Sequence, residues 1–244
     1  MSPPRKRADI LLVERGLFES RARAQAAIAA GLVIANDKQV TKPLEMIPAD
    51  AVLQAEPAHP YVSRGGVKLA GALERYPIDV EGHVCLDVGA STGGFTEVLL
   101  ANGAGIVVSI DVGRDQLHPS LRDHPGIVSM DTTDVRELDG KRLPARPDIV
   151  VIDVSLISLK AVLPVALSPA TAPMSLLALI KPQIEAGPAH SKHGIIRDEA
   201  IHRGVCADLA AYAASLGCDN IDVFPSSING GDGNAEFFLG ARRG

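Results

Sequence analysis

The chemistry in this sequence is concentrated in one string, Asp87-x-Gly89-x-Ser91-x-Gly93-Gly94-Phe95, and in two further acids, Asp111 and Asp134. Glycines allow the backbone to approach a ligand closely. A dinucleotide-binding turn would read G-x-G-x-x-G, with the pyrophosphate on a helix N-terminus. That spacing is absent, and Asp87 places a carboxylate where a pyrophosphate would be repelled. A ligand bearing an ammonium group suits Asp87 better. S-adenosylmethionine has one, together with a ribose diol and an adenine. Asp111 ends the next apolar run and is placed to accept from ribose hydroxyls; Asp134 follows the third and could take the adenine amino group. Gly89, Ser91, Thr92, Gly93, Gly94 and Phe95 complete the expected cofactor cradle.

The elements that must position these residues alternate strand with helix. Apolar runs at Val84–Asp87, Ile106–Asp111, Ile127–Met130, Ile149–Asp153 and Leu176–Ile180 read as strands. A helix near Ile195–Leu216 leads to two more, Asn220–Phe224 and Glu236–Gly240, with the glycine-rich loop Asn229–Asn234 between them. Continuous apolar strands with intervening helices imply a mostly parallel sheet covered on both faces. The last two strands suit an antiparallel hairpin at the sheet edge. Lys68 falls on a helix and, taken alone, reads as a surface lysine. Cys85, inside the strand before Asp87, reads as core.

The chain has 244 residues, 46% hydrophobic and 22% charged, ordinary values for a soluble globular protein. Aromatics are only 3%, so the core must be aliphatic. No apolar run reaches the roughly 18–20 residues of a membrane helix, and the start lacks the apolar stretch of a secretory signal. Three cysteines without a C-x-x-C pair fit a reduced, cytoplasmic protein. His190 and His193 share a loop without a Cys or carboxylate at ligand spacing, so no metal site is expected.

Net charge is −5, but unevenly spread: residues 1–66 carry 9 Lys/Arg against 7 Asp/Glu, and the remainder 15 against 22. A basic reader joined to an acidic body accounts for that asymmetry. In this first part Asp9 is a candidate N-cap for a helix through Ile10, Leu11, Val13 and Leu17, and Ser20 for a second helix ended by Gly31. Arg21 and Arg23 oppose the second helix's dipole, which makes sense if they face phosphate. A hairpin turns at Asn36-Asp37, and Ala51–Gln54 reads as another short strand.

Arg-x-Asp-x-Leu-Leu-Val-x-x-Gly-Leu, then Ser-Arg-x-x-Ala, then Ile-x-x-Gly-x-Val before a hairpin, resembles an S4 RNA-binding domain. The body resembles Rossmann-type methyltransferases and, more narrowly, FtsJ-like RNA 2′-O-methyltransferases. The resemblance implies a Lys–Asp–Lys–Glu catalytic tetrad, which maps onto Lys68, Asp153, Lys181 and Glu236. The combination, with Ser-Arg-Gly-Gly-x-Lys and Lys-Pro-Gln in place, is similar to the TlyA family of rRNA 2′-O-methyltransferases, some of them labelled haemolysins. The expected fold is therefore α/β: a mostly parallel Rossmann-like methyltransferase sheet with an antiparallel edge strand (residues 67–244), preceded by a small α+β S4 domain (1–58) and a linker (59–66). The expected activity is S-adenosylmethionine-dependent 2′-O-methylation of ribosomal RNA, with cytidine as the acceptor. Lys181 is expected as the base, Asp153 to orient it, and Lys68 with Glu236 to fix the ribose. Ribosomal RNA or a ribosomal subunit is the expected partner, rather than DNA or a membrane. A membrane-active haemolysin and an RNA-binding protein with an inactive body are the competing readings. The Asn/Asp-Pro-Pro-aromatic motif of base methylation is absent.

Arg5, Lys6, Arg7, Arg21, Arg23, Lys38, Lys42 and Arg64 are the candidate RNA contacts. If about four of them neutralise phosphates, log K for RNA should fall against log salt with a slope of about −3 to −4. A salt-independent affinity in a filter-binding titration would contradict this assignment.

Overall fold

A computed structural model describes residues 3–187 and 194–244. The chain forms two compact units, one ending at Pro60 and one running from Tyr61 to Gly244.

The first unit contains β1 (Arg5–Arg7), α1 (Ala8–Glu14), α2 (Arg21–Ala29), β2 (Val33–Ala35), β3 (Lys38–Gln39), β4 (Met46–Pro48) and β5 (Leu53–Ala55). Its core joins Leu11, Leu12, Phe18, Ala27, Ile28 and Val33. Ser20 caps α2, its Oγ accepting from the Arg23 amide at 3.3 Å, and Gly31 follows the helix at φ +75°. Asn36 and Asp37 turn β2 into β3 at φ +47° and +61°, the left-handed pair that a two-residue hairpin requires. The third strand of this sheet is β5, rather than the Ala51–Gln54 run, and it pairs with β2.

Two features depart from the sequence-based expectation. Strands β1 and β4 pair with each other, and three-residue strands are too short to show an alternating pattern. Asp9 is not a cap, because α1 already begins at Ala8. Its carboxylate is fully buried and accepts from Arg7 at 2.9 Å, Arg21 at 3.2 Å and Gln25 at 2.7 Å. Arg21 is therefore explained by an internal acid rather than by phosphate alone. The cluster ties the start of α1 to the start of α2.

The second unit contains α3 (Arg64–Arg75), β6 (Val84–Val88), α4 (Gly94–Ala101), β7 (Ile106–Ile110), α5 (Pro119–Arg122), β8 (Ile127–Met130), β9 (Ile149–Ile152), α6 (Leu159–Leu167), β10 (Met174–Ile180), α7 (Pro182–Glu185), α8 (Glu199–Ser215), β11 (Asp219–Pro225) and β12 (Phe237–Arg243). Helix α3 begins inside the expected linker, since Arg64–Gly66 are already helical. The sheet order is β11-β12-β10-β9-β6-β7-β8. Strands β6 to β10 run parallel, and β12 lies antiparallel between β10 and the edge strand β11.

Successive residues of a strand point to opposite faces, and the core divides accordingly. Leu86, Val150 and Ile152 pack with α6 and α8, while Cys85, Val151 and Phe238 pack with α3 and α4. From β6 the chain moves outward to β7 and β8, then returns to the other side of β6 with β9 and β10. That reversal opens a crevice at the carboxyl ends of β6 and β9. Among the described residues, no helix is long and apolar enough to cross a membrane.

Asp9 makes a test of the first unit's internal electrostatics. Burial raises its pKa, but hydrogen bonds from Arg7, Gln25 and Arg21 outweigh that effect and hold it at about 2. A carboxyl depressed in this way stabilises the fold above the ordinary carboxylate pKa, and the contribution is lost as pH falls from about 4 through 2. Asp9→Ala should cost about 1–3 kcal/mol by stranding its donors. Amide hydrogen exchange on the full chain should show lost protection at Leu11 and Leu12 with β9 and β10 unchanged.

Candidate active site

The crevice is shaped first by glycine. Gly89 follows β6 at φ +84°, and a Cβ there would lie 2.3 Å from the Asp153 carbonyl oxygen. Parallel pairing sets Val88 opposite Ile152, so the turn after β6 runs directly against the residue after β9. Gly94 opens α4, where a Cβ would lie 2.2 Å from Ser63 Oγ and 2.8 Å from the Gly66 nitrogen. The starts of α3 and α4 are thus in backbone contact.

Two cavities meet at this point. The larger, about 440 Å³, has Ser91, Asp111 and Asp134 on its polar side and Val112, Leu156 and Ile157 on its apolar side. The smaller, about 300 Å³, is walled by Arg64, Lys68, Thr92, Gly94 and Phe95. Gly89, Ser91 and Asp153 border both.

The predicted cofactor residues separate into those that reach a cavity and those that do not. Asp111 accepts from the Ser91 amide at 2.8 Å and the Gly113 amide at 2.7 Å, which fixes the turn while leaving its carboxylate on the cavity wall. Asp134 also borders the larger cavity, and the Arg136 guanidinium holds its carboxyl down at about 2.

Asp87 requires a correction. It shares with Cys85 the face covered by α4, so the pleat points it into the core rather than at a ligand's ammonium group. The side chain is fully buried and borders neither cavity. Its Oδ2 accepts from Thr96 Oγ1 at 2.6 Å, and Thr96 in turn meets Ser109 Oγ at 2.8 Å. Asp87 braces the glycine turn from beneath. Gly93 is likewise internal, because a Cβ there would lie 2.5 Å from Leu121 Cδ1.

The four tetrad positions form two ion pairs in which Lys68, Lys181 and Glu236 are buried and Asp153 is half-buried. Lys68 Nζ lies 2.5 Å from Glu236 Oε2, and Lys181 Nζ lies 2.5 Å from Asp153 Oδ1. Lys181 also donates to Ser155 Oγ at 2.7 Å. Asp153 follows β9 and Lys181 follows β10. Glu236 precedes β12, whose antiparallel register sets Phe237 opposite Ile180. Lys68 comes from α3 and borders the smaller cavity with Asp153. Ser155 had no signal of its own in the sequence, because a serine two residues past an acid is common in loops.

The candidate RNA residues are more scattered. Arg5 donates to the Met46 carbonyl at 3.1 Å, Lys6 pairs with Glu14 at 2.5 Å and Arg23 faces Glu19 at 3.9 Å. Arg7 and Arg21 share Asp9, and Lys38 and Lys42 are exposed. Arg64 donates to the Asn229 carbonyl. His190 and His193 lie outside the described residues.

Comparison with known proteins settles the class of this site. The family model for FtsJ-like methyltransferases matches residues 61–243. The chain belongs to the FtsJ-like methyltransferases. It is 40% identical over 241 residues to the 16S/23S rRNA (cytidine-2′-O)-methyltransferase TlyA of Mycobacterium tuberculosis, covering 98% of this chain and 90% of that one. It is 35% identical over 233 residues to Hemolysin A of Brachyspira hyodysenteriae, covering 95% and 97%. A solved structure from Streptococcus thermophilus superposes with a TM-score of 0.78 at 37% identity, covering 99% and 90%.

For this FtsJ-like enzyme the methyl donor is S-adenosylmethionine, and the crevice suits it. The backbone at Gly89 borders both cavities, an apolar wall suits a flat purine, and Asp111 offers acceptors to a diol.

Asp87 generates a pH test. Burial pushes its pKa up to about 7, with Asp153 and Asp111 acting in the same direction. Between the ordinary carboxylate range and that value, the folded state holds the extra proton, so stability contributed by this group falls as pH rises from about 4 to 7. Asp87→Asn keeps an acceptor for Thr96 and should remove that slope. Thermal melts of the wild type and the variant should converge at low pH and separate toward neutrality, the variant being the more stable.

Proposed function

We propose that this methyltransferase acts on a ribose 2′-hydroxyl of ribosomal RNA, a cytidine in the small or large subunit, and works in the cytoplasm where its substrate is made. We further propose that the unit ending at Pro60 is an S4 RNA-binding domain that docks the RNA. The observation that carries this reading is the pair of buried lysine–carboxylate contacts, Lys68–Glu236 and Lys181–Asp153, at the edge of the cofactor crevice. The relationship to TlyA of Mycobacterium tuberculosis, which bears the name of such an enzyme, supports it.

When bound, S-adenosylmethionine supplies an electrophilic methyl group on a sulfonium. The protein's task is to remove the hydroxyl proton and aim the oxygen. A neutral amine has two hydrogens and one lone pair. Lys181 Nζ lies against Asp153 Oδ1 and donates to Ser155 Oγ, and in its neutral form the amine offers its lone pair to a substrate hydroxyl. Lys181 would take that proton, freeing the oxygen to accept the methyl group that the bound donor supplies. Asp153 then sits beside the ammonium it has helped to create. Lys68, held by Glu236, donates hydrogen bonds to the ribose and restrains it for in-line attack. Positioning of this kind supplies part of the rate independently of proton transfer. Phosphate contacts from the first unit's Arg and Lys side chains would set register without reading sequence.

Lys181→Ala tests the assignment. Methyl transfer from tritiated S-adenosylmethionine to isolated small and large ribosomal subunits should fall by about 10²–10⁴-fold, the range for loss of a general base. Cofactor affinity by calorimetry should stay close to wild type, and the label in wild-type reactions should map to ribose. A variant that transfers at near wild-type rate would remove Lys181 as the base.

A further inference from the structure

The loop between β11 and β12 holds a buried polar residue that the tetrad does not account for. Asn234 is 1% exposed, and its side chain makes three hydrogen bonds. Nδ2 donates to the Gly194 carbonyl at 2.9 Å and to Asp232 Oδ2 at 2.7 Å, and Oδ1 accepts from the Ile196 amide at 2.9 Å. The backbone takes part as well. The Asn234 amide donates to Asp232 Oδ1 at 3.0 Å, and its carbonyl accepts from the Gly230 amide at 2.8 Å.

This network closes the loop into a compact turn against Glu236. A Cβ at Gly230 would lie 2.7 Å from Glu236 Oε1, so the loop backbone forms one wall around that carboxylate. From the other side, Gln183, two residues past Lys181, donates to Asp232 at 3.3 Å. Ser227 Oγ donates to the Val67 carbonyl at 3.1 Å, beside Lys68. The loop therefore touches the chain next to both lysines, and Asn234 fastens it to the segment Gly194–Ile196.

We propose that Asn234 is a positioning residue for methyl transfer, locking the Asn229–Asn234 loop so that Glu236 is held against Lys68. The proposal rests on the tetrad reading above. Amide chemistry is required here because the position needs two donors and one acceptor. An aspartate would set a carboxylate against Asp232 and a carbonyl. A leucine would leave the Ile196 amide and the Gly194 carbonyl unpaired. The contacts lie around Glu236 rather than on the cofactor wall formed by Ser91, Asp111 and Asp134, so loosening them should affect the chemical step and spare cofactor binding.

The test compares Asn234→Ala, Glu236→Ala and the double variant in the full chain, with isolated ribosomal subunits as substrate. Asn234→Ala should lower kcat by about 10–100-fold, the scale of a misplacement near 1 Å, with cofactor Kd by calorimetry within about threefold. In the Glu236→Ala background, Asn234→Ala should cause no further loss, because both changes act through one group. Multiplying losses, or a cofactor affinity that falls in step with kcat, would overturn the proposal. If Glu236→Ala alone transfers at the wild-type rate, it is the tetrad reading that fails. Should Asn234→Ala not fold, Asp232→Ala loosens the same loop from an exposed position. It should reproduce a smaller fall in kcat at unchanged cofactor affinity, and a wild-type kcat in a folded Asp232→Ala protein would overturn the proposal.

Discussion

The site depends on how closely two strand ends approach. Strands β6 and β9 are neighbours in the sheet, yet β7 and β8 separate them in the chain, and their paired register brings Gly89 to the Asp153 carbonyl. No side chain larger than hydrogen fits between them. That contact sets the glycine turn and Asp153 side by side. A sheet in which the strand order did not reverse there would have a helix packed over the same point. The cavity residues Ser91, Asp111 and Asp134 fan out after β6, β7 and β8 on one side. Asp153 and Lys181 follow β9 and β10 on the other, with Glu236 joining them through the antiparallel β12.

Charge burial is the second constraint. Lys68, Lys181 and Glu236 are all buried and Asp153 is half-buried, a costly arrangement unless each charge meets its opposite. The structure answers with two pairs rather than four separate groups, so removing one member leaves its partner's charge uncompensated. The first unit uses the same solution at Asp9, where two arginines and an amide surround one carboxylate. Asp87 marks the opposite case. Burial, with Asp153 and Asp111 acting in the same direction, outweighs the hydrogen bonds from Thr96 and drives this acid toward its neutral form.

Much of this was legible because strong local patterns coincided with the tertiary outcome. Apolar strands of four or more residues, the glycine turn at 89, the left-handed turn at Asn36–Asp37 and the Ser20 cap are each decided by neighbours in sequence. The short pair β1 and β4 was not legible, because its register joins residues distant in the chain, from Arg7 with Met46 to Arg5 with Pro48, and its length carries no periodicity. Asp9 misled for a related reason. An acid near a helix start satisfies the local rule for a cap, while its partners Arg21 and Gln25 come from another helix.

What the sequence alone determined is the set of chemical groups and the secondary structure that carries them: acids after strands, a glycine-rich turn, and a quartet of lysines and carboxylates in recognisable surroundings. Only the tertiary structure decided which way those groups face. Strand pleat turned Asp87 into the core and left Asp111 at the cavity, and antiparallel pairing of β12 with β10 brought Glu236 beside the end that carries Lys181. Asn234 gained its contacts in the same way, since its partners Gly194 and Ile196 lie some forty residues earlier in the chain. Orientation and long-range pairing are properties of packed elements, and no window of neighbouring residues contains them.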